Sequence, residues 1–448
     1  MKLKKHFNHL FILVSILSLS LFANAQLRKI TIDEAIDLGI RNSHQLKYDS
    51  AKITEAVAQL KEARERKLPD AGVSGSHIRL NNPNVDLKIK SNNTTGGSQQ
   101  PRGKISSATY GIVNFSVPLY AGFKIKYGIE SARFLEEASR LDATDNRDEI
   151  ILNTIYAFDN LYKAKAAVDL VNENLGSAKE RVKQFTSFER NGVIPRNDLL
   201  KAELQQSNTE LSLLDAENNW KLANINMNIM LGLPDSTVLD PDIIFFDVTD
   251  KLKSVEEFMQ AAVQHRNDMA SAGLKEKAAG AEIKAVKSEL YPSLALTGGY
   301  IALYVPNFVT VTNAVNVGVG VQYKLSSLWK NNSKVQQAQA REIQALASQA
   351  SLADAVRLQV HQAYLEYVLD IKKIETYKHA VAQAEENFNI VKNKYDNALA
   401  TTTDLLDADV AQLQSRLNYA FSQADASAAY SKLLKSAGIL DKQTHLKN

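Results

Sequence analysis

The most regular hydrophobic pattern in the chain is an alternation over residues 312–323, TNAVNVGVGVQY. Every second residue from Val315 to Tyr323 is apolar, and the residues between them are small or polar. Successive side chains of a strand point to opposite faces, so this spacing predicts a β-strand with one apolar face near residues 312–325. Residues 108–118 repeat the pattern, with Val113, Phe115 and Val117 on one face.

Two partner strands are predicted near residues 71–80 and 293–304, where the alternation is poorer. Alternation alone most often indicates a half-buried strand of a soluble sheet. Each strand here has about the ten residues that a membrane strand needs, and its polar face is small rather than charged. The stretch at 81–107 reads as a long, outward-facing polar loop. These features favour membrane strands, but four strands cannot close a barrel, so several chains would have to share one.

The spacing of proline predicts two very long helices. No proline occurs between residues 119 and 194 or after residue 306, and proline ends or kinks a helix. Long helices are therefore predicted over 122–190 and 330–396, each followed by a second helix, over 198–231 and 404–437. Shorter helices are predicted near 31–67 and 254–290. The predicted fold is mainly α with a small β part.

A heptad repeat runs through the first long helix. Apolar residues recur seven positions apart from Leu161 to Val182, and a second apolar series follows three residues after each of them. The second long helix has a matching series from Tyr367 to Phe388, but Asp370 stands where Ala164 does in the first. Helices this long bury apolar surface by packing side by side, so coiled-coil packing is predicted.

The chain contains one structural unit twice. Residues 34–75 align with positions 223 further on, and residues 108–232 align with positions 206 further on. The change in offset means that the second copy lacks 17 residues, within the region that forms the polar loop of the first. The predicted organisation is a first repeat at 26–232, a linker at 233–253, a second repeat at 254–438 and a tail at 439–448.

The N-terminus has the pattern of a secretory signal peptide. Basic residues precede an apolar stretch from Leu10 to Phe22, and Ala23 and Ala25 flank Asn24. We expect residues 1–25 to be removed. The chain has 53 Lys and Arg against 50 Asp and Glu, and the predicted signal peptide carries three lysines and no acid, so the mature charges balance. No nucleic-acid partner is implied.

No constellation of catalytic or metal-binding residues emerges from the sequence. Cysteine is absent, and the histidines of the mature chain form no pair at metal-ligand spacing. Ser327 and Lys330 satisfy an S-x-x-K pattern, which at a strand-to-helix junction is a chance match. No phosphate loop or nucleophile elbow occurs. We therefore expect no enzyme, no cofactor and no metal site.

In the order of its motifs the chain resembles the TolC family of outer-membrane efflux proteins. The motifs are VPLYAGFK at 117–124, NGVIPRNDLLKAEL at 191–204, LGLP at 231–234 and YDNALATTTDLLDADV at 395–410. None is specific by itself. Their order, spacing and duplication carry the resemblance, which covers essentially the whole mature chain.

The resemblance implies a homotrimer in the outer membrane that extends into the periplasm. Four strands from each of three chains would make a 12-stranded β-barrel, continued by a periplasmic α-helical tunnel. Members of the family are passive exit ducts of tripartite efflux or type I secretion systems. Their partners are a periplasmic adaptor (membrane fusion) protein, an inner-membrane transporter and outer-membrane lipid.

The resemblance also implies a selectivity ring at the pore entrance. The family's acidic pair in the second helix–helix turn falls on Asp404 and Asp407, and three chains would bring six such carboxylates around one opening. The residues themselves allow a simpler interpretation, because acids in the first turn of a helix interact favourably with its dipole. Both interpretations remain open at this stage.

A tether of the closed periplasmic tip is the second implied feature. The family links its two helix–helix turns by polar contacts, and the matching positions are Asp198 and Tyr395. The basic residue usually found four positions before the first ring Asp is Ala400 here. Arg190 or Arg196 would have to substitute for it, or the tip is held less tightly.

A soluble periplasmic coiled-coil adaptor or scaffold is the alternative function. The same heptads would serve such a protein, and its strands would form a small soluble domain. It would have to cover the apolar row from Val315 to Tyr323 with another sheet or helix. The sequence offers no spare element for this purpose, which favours the membrane duct.

Overall fold

The structure is a computed structural model that describes residues 27–81, 83, 105–242 and 253–440. The predicted signal peptide lies outside these ranges, as do most of the 81–107 loop and parts of the predicted linker and tail. The described residues form eight α-helices and six β-strands.

The helices and strands follow the order predicted for a duplicated chain. The first half contains β1 (Leu27–Ile30), α1 (Ile32–Asn42), α2 (His44–Glu65), β2 (Asp70–Arg79), β3 (Ser107–Ala121), α3 (Lys124–Arg190) and α4 (Arg196–Leu231). The second contains β4 (Val238–Pro241), α5 (Val255–His265), α6 (Asn267–Lys287), β5 (Ser293–Val305), β6 (Val309–Gln322), α7 (Ser327–Asp396) and α8 (Thr402–Ser436). The predicted fold class, mainly α with two β-hairpins between long helices, is confirmed.

The chain divides into two compact units, and each half of the sequence contributes to both. One unit comprises Ala51–Arg140 and Ala270–Ala350 and contains the four long strands. The other comprises Leu141–Met269 with the segments that end at Ser50 and begin at Ser351, and among its described residues it is mostly helical.

The two shorter helices predicted near 31–67 and 254–290 are each broken. Ser43 separates α1 from α2, and Arg266 separates α5 from α6. Both residues adopt extended backbone, with ψ of 120° and 121°, which cannot continue a helix. They are 223 positions apart, so the break is duplicated with the rest of the repeat. At Arg266 the buried guanidinium donates to Asp268, Gln359 and the Ser436 carbonyl, which fixes the bend.

A two-stranded parallel sheet connects the start of the first repeat with the region predicted as a linker. Strand β1 pairs with β4, and the side chains of Asn224 and Asn228 on α4 bond the segment that leads into β4. Asn224 Nδ2 and Asn228 Nδ2 donate to the Thr237 carbonyl at 2.7 and 2.8 Å, and Asn224 Oδ1 accepts from the Leu239 N–H at 2.8 Å. Two strands of four residues are too short to give a periodic signal, which is why the sequence did not predict them.

The heptad positions of α3 form much of the helical core. Leu161, Val171, Leu175, Ala178 and Phe185 are all buried. Phe158 and Leu161 pack with Met227 and Leu231 of α4 in one cluster, so the seam read from the sequence is a packing seam.

The acid in the seam of the second long helix is accommodated by a neighbouring lysine. Asp370 is buried, and Lys373 Nζ donates to its Oδ1 at 2.7 Å. An apolar cluster beside it contains Val360, Ala363 and Tyr367 of α7. The polar position is therefore tolerated because its charge is paired.

Candidate functional site

The four long strands form one antiparallel sheet in the order β2–β3–β5–β6. Directly opposite residues of an antiparallel pair lie on the same face of the sheet. One such row runs across all four strands through Val73, Val113, Tyr300 and Val315. The two hairpins of the repeats are thus joined edge to edge in a register that aligns their apolar residues.

The neighbouring rows are apolar on the same face. Three of them are Ala71–Phe115–Gly298–Val317, Val117–Leu296–Val319 and Leu294–Val321. On β6 the side chains of this face are strongly exposed, from 62% for Val319 to 73% for Val317. The result is a broad exposed apolar face on one side of the sheet.

In the half of the sheet nearer the long helices, the opposite face carries small and polar side chains. One row is Gly72–Asn114–Gly299–Asn316, and the next is Asp70–Ser116–Thr297–Gly318. An apolar face and a small, polar face on one sheet are the pattern of strands that separate lipid from an aqueous channel.

Gly298 is required by the ring that lies over it. A Cβ atom at this position would stand 2.4 Å from Cε1 of Phe115, on the paired strand. The aromatic ring therefore covers the glycine and keeps the apolar face continuous where residue 298 has no side chain.

The turn between α3 and α4 is one of the two predicted tip turns. Gly192 has a φ of 70°, and its N–H donates to the Glu189 carbonyl at 2.9 Å. The Val193 N–H donates to the Phe188 carbonyl at 2.8 Å. These bonds close α3 with a Schellman-type turn, which needs a left-handed residue.

The turn between α7 and α8 repeats this geometry without a glycine. Ala398 holds the left-handed position with a φ of 59°, and its N–H donates to the Tyr395 carbonyl at 2.9 Å. The Leu399 N–H donates to the Lys394 carbonyl at 2.8 Å. The left-handed conformation is sterically unfavourable for Ala398, because it has a Cβ atom, but not for Gly192.

Asp404 takes part in the N-terminal cap of α8. Its carboxylate accepts from the Thr401 N–H at 2.8 Å and from the Thr401 hydroxyl at 2.7 Å, and its own N–H donates to the Thr401 Oγ1 at 3.2 Å. These bonds hold the pKa of the Asp404 carboxyl below its usual value, so it is charged at neutral pH. Asp407, one turn further on, is exposed.

The first turn has a different N-terminal arrangement. Helix α4 begins after Pro195, which provides no side-chain cap. Asp198 in its first turn lies 3.4 Å from Lys201 Nζ, and that amine also donates to Thr403 Oγ1 at 3.1 Å. Asp198 is therefore linked to the second turn through Lys201, a residue that the sequence did not single out.

The packing of Tyr395 connects the two turns. Its ring stacks on Phe185 with centroids 5.6 Å apart, and its hydroxyl accepts from Thr402 Oγ1 at 3.4 Å. Phe185 belongs to a buried cluster with Leu199 and Leu405, one leucine from each helix that follows a turn. The aromatic pair therefore closes the apolar cluster beneath the two turns.

Arg190 and Arg196 are exposed at opposite ends of the first turn. Within the described ranges neither arginine forms an ion pair or a side-chain hydrogen bond, so the structure does not bring either to Asp198 or Tyr395. The polar contact between the turns is made by Lys201 instead.

The third acid of the DLLDAD phrase has a role that sequence reasoning missed. Asp409 is buried, and its Oδ2 accepts from Arg181 Nη1 at 3.0 Å and from Asn174 Nδ2 at 3.3 Å. A few residues along α8, Arg416 contacts Glu173 at 3.2 Å and Glu385 at 2.8 Å. The one signal in the sequence was the position of Asp409 on the face of α8 that packs on α3, whereas Asp404 and Asp407 lie on its exposed face.

No helix among the described residues is both long and apolar enough to cross a membrane. No group of three or more His, Asp or Glu residues there is arranged to hold a metal ion.

The sheet and the paired helical turns define a class of outer-membrane channel. A model of the family described as outer membrane efflux protein matches residues 35–233 and 258–439. The chain belongs to this family, which confirms the resemblance to TolC-type channels. No curated protein matches the sequence.

Solved structures with the same fold come from several bacteria. VceC of Vibrio cholerae superposes with a TM-score of 0.75 at 19% identity, over 91% of this chain and 96% of that one. CmeC of Campylobacter jejuni gives 0.78 at 17%, over 91% and 86%. MtrE of Neisseria gonorrhoeae gives 0.70 at 16%, over 91% and 89%. At these identities the likeness establishes the fold alone.

Membership of the family establishes location and general function. The protein is an outer-membrane efflux channel that extends into the periplasm. The alternative of a soluble periplasmic adaptor or scaffold is not supported.

Proposed function

We propose that three copies of this chain share one 12-stranded barrel and form a passive exit duct across the outer membrane. The observation that carries the proposal is the sheet itself, with an apolar face aligned across four strands and with β2 and β6 at its edges. The organisation into two repeats, 26–232 and 254–438, supplies one hairpin from each repeat.

The open edges of the sheet argue for strand sharing. An unpaired strand edge in hydrocarbon leaves N–H and C=O groups without partners, at a cost of several kcal/mol for each group. Pairing β6 of one chain with β2 of the next removes both edges. Four strands from each of three chains then give the twelve strands of a closed barrel.

An exposed apolar stripe on α4 supports the same assembly. Its residues recur at the three- and four-residue spacing of a coiled-coil seam, and all are exposed in the single chain: Leu200, Leu204, Leu211, Leu214, Leu222, Ile225 and Ile229. A stripe of this kind, on a helix whose other side packs on α3, fits a helix of a second copy.

The two helix–helix turns are proposed as the periplasmic tip of the duct. In a trimer, Asp404 and Asp407 would contribute six carboxylates to the pore entrance and favour cations. The exposure of both side chains supports this role. Asp198 and Tyr395 would tether the closed tip, Asp198 through Lys201 and Tyr395 through its stacking on Phe185. Arg190 and Arg196 would be left to contact other surfaces.

The duct is proposed to work without chemistry of its own. An inner-membrane transporter would supply the energy, and a periplasmic adaptor would connect it to the tip. The chain would need no cofactor, and its lipid contact would be the apolar face of the sheet. No nucleic-acid partner is proposed, since the mature charges balance.

The absence of cysteine makes the strand sharing directly testable. Val73→Cys on β2 combined in turn with Val315→Cys, Val317→Cys or Val319→Cys on β6 should give covalent dimers and trimers on oxidation in the outer membrane. The matched control is Val113→Cys with Tyr300→Cys, which face each other within one chain and should leave it monomeric on a denaturing gel.

The mass of the purified particle is the second measurement. Light scattering with the detergent subtracted should give three chains. A monomer, or a set of edge cysteines that never links two chains, would refute the shared barrel.

A further inference from the structure

Lysines lie at the helix-side end of each of the four membrane strands. Lys67 stands three residues before β2, Lys124 three residues after β3 and Lys324 two residues after β6. Lys287 ends the helix that leads into β5. We call the residues 64–69, 122–126, 287–292 and 323–330 the helix-side rim.

The opposite end of the second hairpin has no charge. The turn between β5 and β6 is Pro306, Asn307 and Phe308. The rim, which in the outer membrane lies at the periplasmic leaflet, is thus more basic than the opposite end of the second hairpin.

Most rim lysines have no acidic partner. Lys124 Nζ donates to Glu289 at 2.6 Å, and Lys334 donates to the same carboxylate at 2.7 Å, which lowers the Glu289 pKa. Lys67, Lys287 and Lys324 are exposed, and within the described part of the chain they form no ion pair. The rim therefore carries an unneutralised positive charge.

Aromatic side chains accompany the lysines. Tyr291, Tyr323 and Trp329 are exposed at the rim, a placement typical of the water–lipid boundary. Phe123 is also exposed and has a φ of 68°, which is rare for a bulky residue. Its ring lies edge-on to Tyr120, with centroids 5.5 Å apart.

A crevice of about 310 Å³ opens beside this aromatic pair. Its apolar walls include Pro118, Leu119, Tyr120, Phe123 and Ile125, and Lys67 is its one charged lining residue. An apolar slot with a single cation at its edge matches the join between the acyl chain and the phosphate of a lipid.

We propose that this crevice binds an anionic phospholipid of the periplasmic leaflet, with the phosphate on Lys67 and the start of an acyl chain between Leu119 and Phe123. The inference rests on the proposed membrane sheet. The apolar walls continue the lipid-facing rows of β3, so the crevice adjoins the bilayer. A free phosphate ion would make no use of these walls, whereas a phospholipid uses both features.

Native mass spectrometry of the full-length mature protein tests this assignment. The protein is purified from outer membranes and exchanged into phosphatidylglycerol or phosphatidylethanolamine at matched concentrations. We expect preferential retention of phosphatidylglycerol. Lys67→Gln should weaken this retention about fivefold, because one lysine beside an anionic lipid surface contributes on that order, and Lys67→Arg should retain it.

A matched control separates the site from general charge. Lys179 is an exposed lysine of α3 outside the rim, and Lys179→Gln should leave lipid retention unchanged. Equal retention of the two lipids, no effect of Lys67→Gln, or full competition by inorganic phosphate would overturn the proposal.

Conductance distinguishes failure of the lipid site from failure of the duct. Normal channels in bilayers made only of neutral lipid, together with unselective lipid retention, would reject the site and leave the duct intact. Absence of channels in every lipid would reject the duct itself.

Discussion

Arg181 and Asp409 form a buried ion pair, with Nη1 and Oδ2 3.0 Å apart, between the first long helix and the last helix. The two residues are 228 positions apart and belong to different repeats. Their side chains are 10% and 3% exposed. The pair joins α3 of one repeat to α8 of the other just inside the two tip turns. The residues at the equivalent positions of the other repeat, Glu203 and Asn387, cannot form an ion pair, because asparagine carries no charge.

Removal of one partner should destabilise the protein strongly. Asp409→Ala leaves the Arg181 guanidinium buried without its counter-ion, and we expect a loss of about 3–5 kcal/mol in the free energy of unfolding. The measurement is urea unfolding of the detergent-solubilised protein. Replacing both residues, Arg181→Met with Asp409→Leu, should recover most of the loss. A single substitution that costs less than about 1 kcal/mol, the range of surface pairs, would contradict the assignment.

Asp159 predicts a stability that depends on pH. Its carboxyl is buried, and its pKa is raised to about 8 as the net effect of burial, which raises it most, of Lys163, which lowers it, and of Asp425, which raises it. The unfolded chain would release this proton near pH 4, so the folded state binds one more proton between about pH 4 and pH 8. Stability should therefore fall as pH rises through this window, by up to about 1.4 kcal/mol per pH unit.

The neutral isostere isolates this effect. Asp159→Asn should flatten the decline in thermal midpoint between pH 5 and pH 8. Asp215→Asn, a change at an exposed carboxylate of α4, should retain the wild-type slope. Identical slopes in the wild type and in Asp159→Asn would mean that Asp159 is ionised in the folded protein.

The two tip turns predict opposite effects of glycine and alanine. Gly192 and Ala398 hold equivalent left-handed positions, and a left-handed non-glycine residue costs about 1–2 kcal/mol. Ala398→Gly should therefore stabilise the protein, by about 0.5–1 kcal/mol after the greater chain entropy of glycine is subtracted.

Gly192→Ala should destabilise the protein by a similar amount. A Cβ atom at Gly192 would meet no atom within 4 Å, so the effect is due to the backbone alone. Thermal unfolding of both variants checks the pair. Changes of the same sign would show that packing rather than backbone strain governs these turns.

Sequence periodicity predicted the long elements because they repeat one physical rule many times. The heptads of α3 and the alternation of β6 each run over enough residues to fix their buried or lipid-facing sides. The pairing of Asp409 with Arg181 had no such signal, since it depends on how distant helices are brought together. The breaks at Ser43 and Arg266 were also missed, because no proline marks either of them. Tertiary hydrogen bonds fix the break at Arg266.

Among the candidate tip residues, too, some features could be predicted from sequence position and others depend on tertiary contacts. Exposure of Asp404 and Asp407 follows from their position in the first turns of α8. The partner of Asp198 could not be chosen from sequence, because Lys201, Arg190 and Arg196 all lie within a few residues of it. The geometry selects Lys201, whose amine reaches both turns.

Asp404 and Asp407 allow the ring and the helix cap to be tested separately. Asn keeps an oxygen that can accept from Thr401, so Asp404→Asn removes the charge with little loss of the cap. Asp407→Asn removes a charge that takes no part in the cap. If the ring is present, the double variant should lose cation selectivity and block by divalent ions in planar bilayers, because six carboxylates disappear from one opening.

The two single variants should each cause part of this change, and assembly should be unaffected. Glu386→Gln, a change at an exposed acid of α7, serves as the charge control and should conduct like the wild type. If the double variant keeps its selectivity and divalent block, the carboxylates do not line the opening. Asp404 would then act only in capping α8, and Asp407 only through its favourable interaction with the helix dipole.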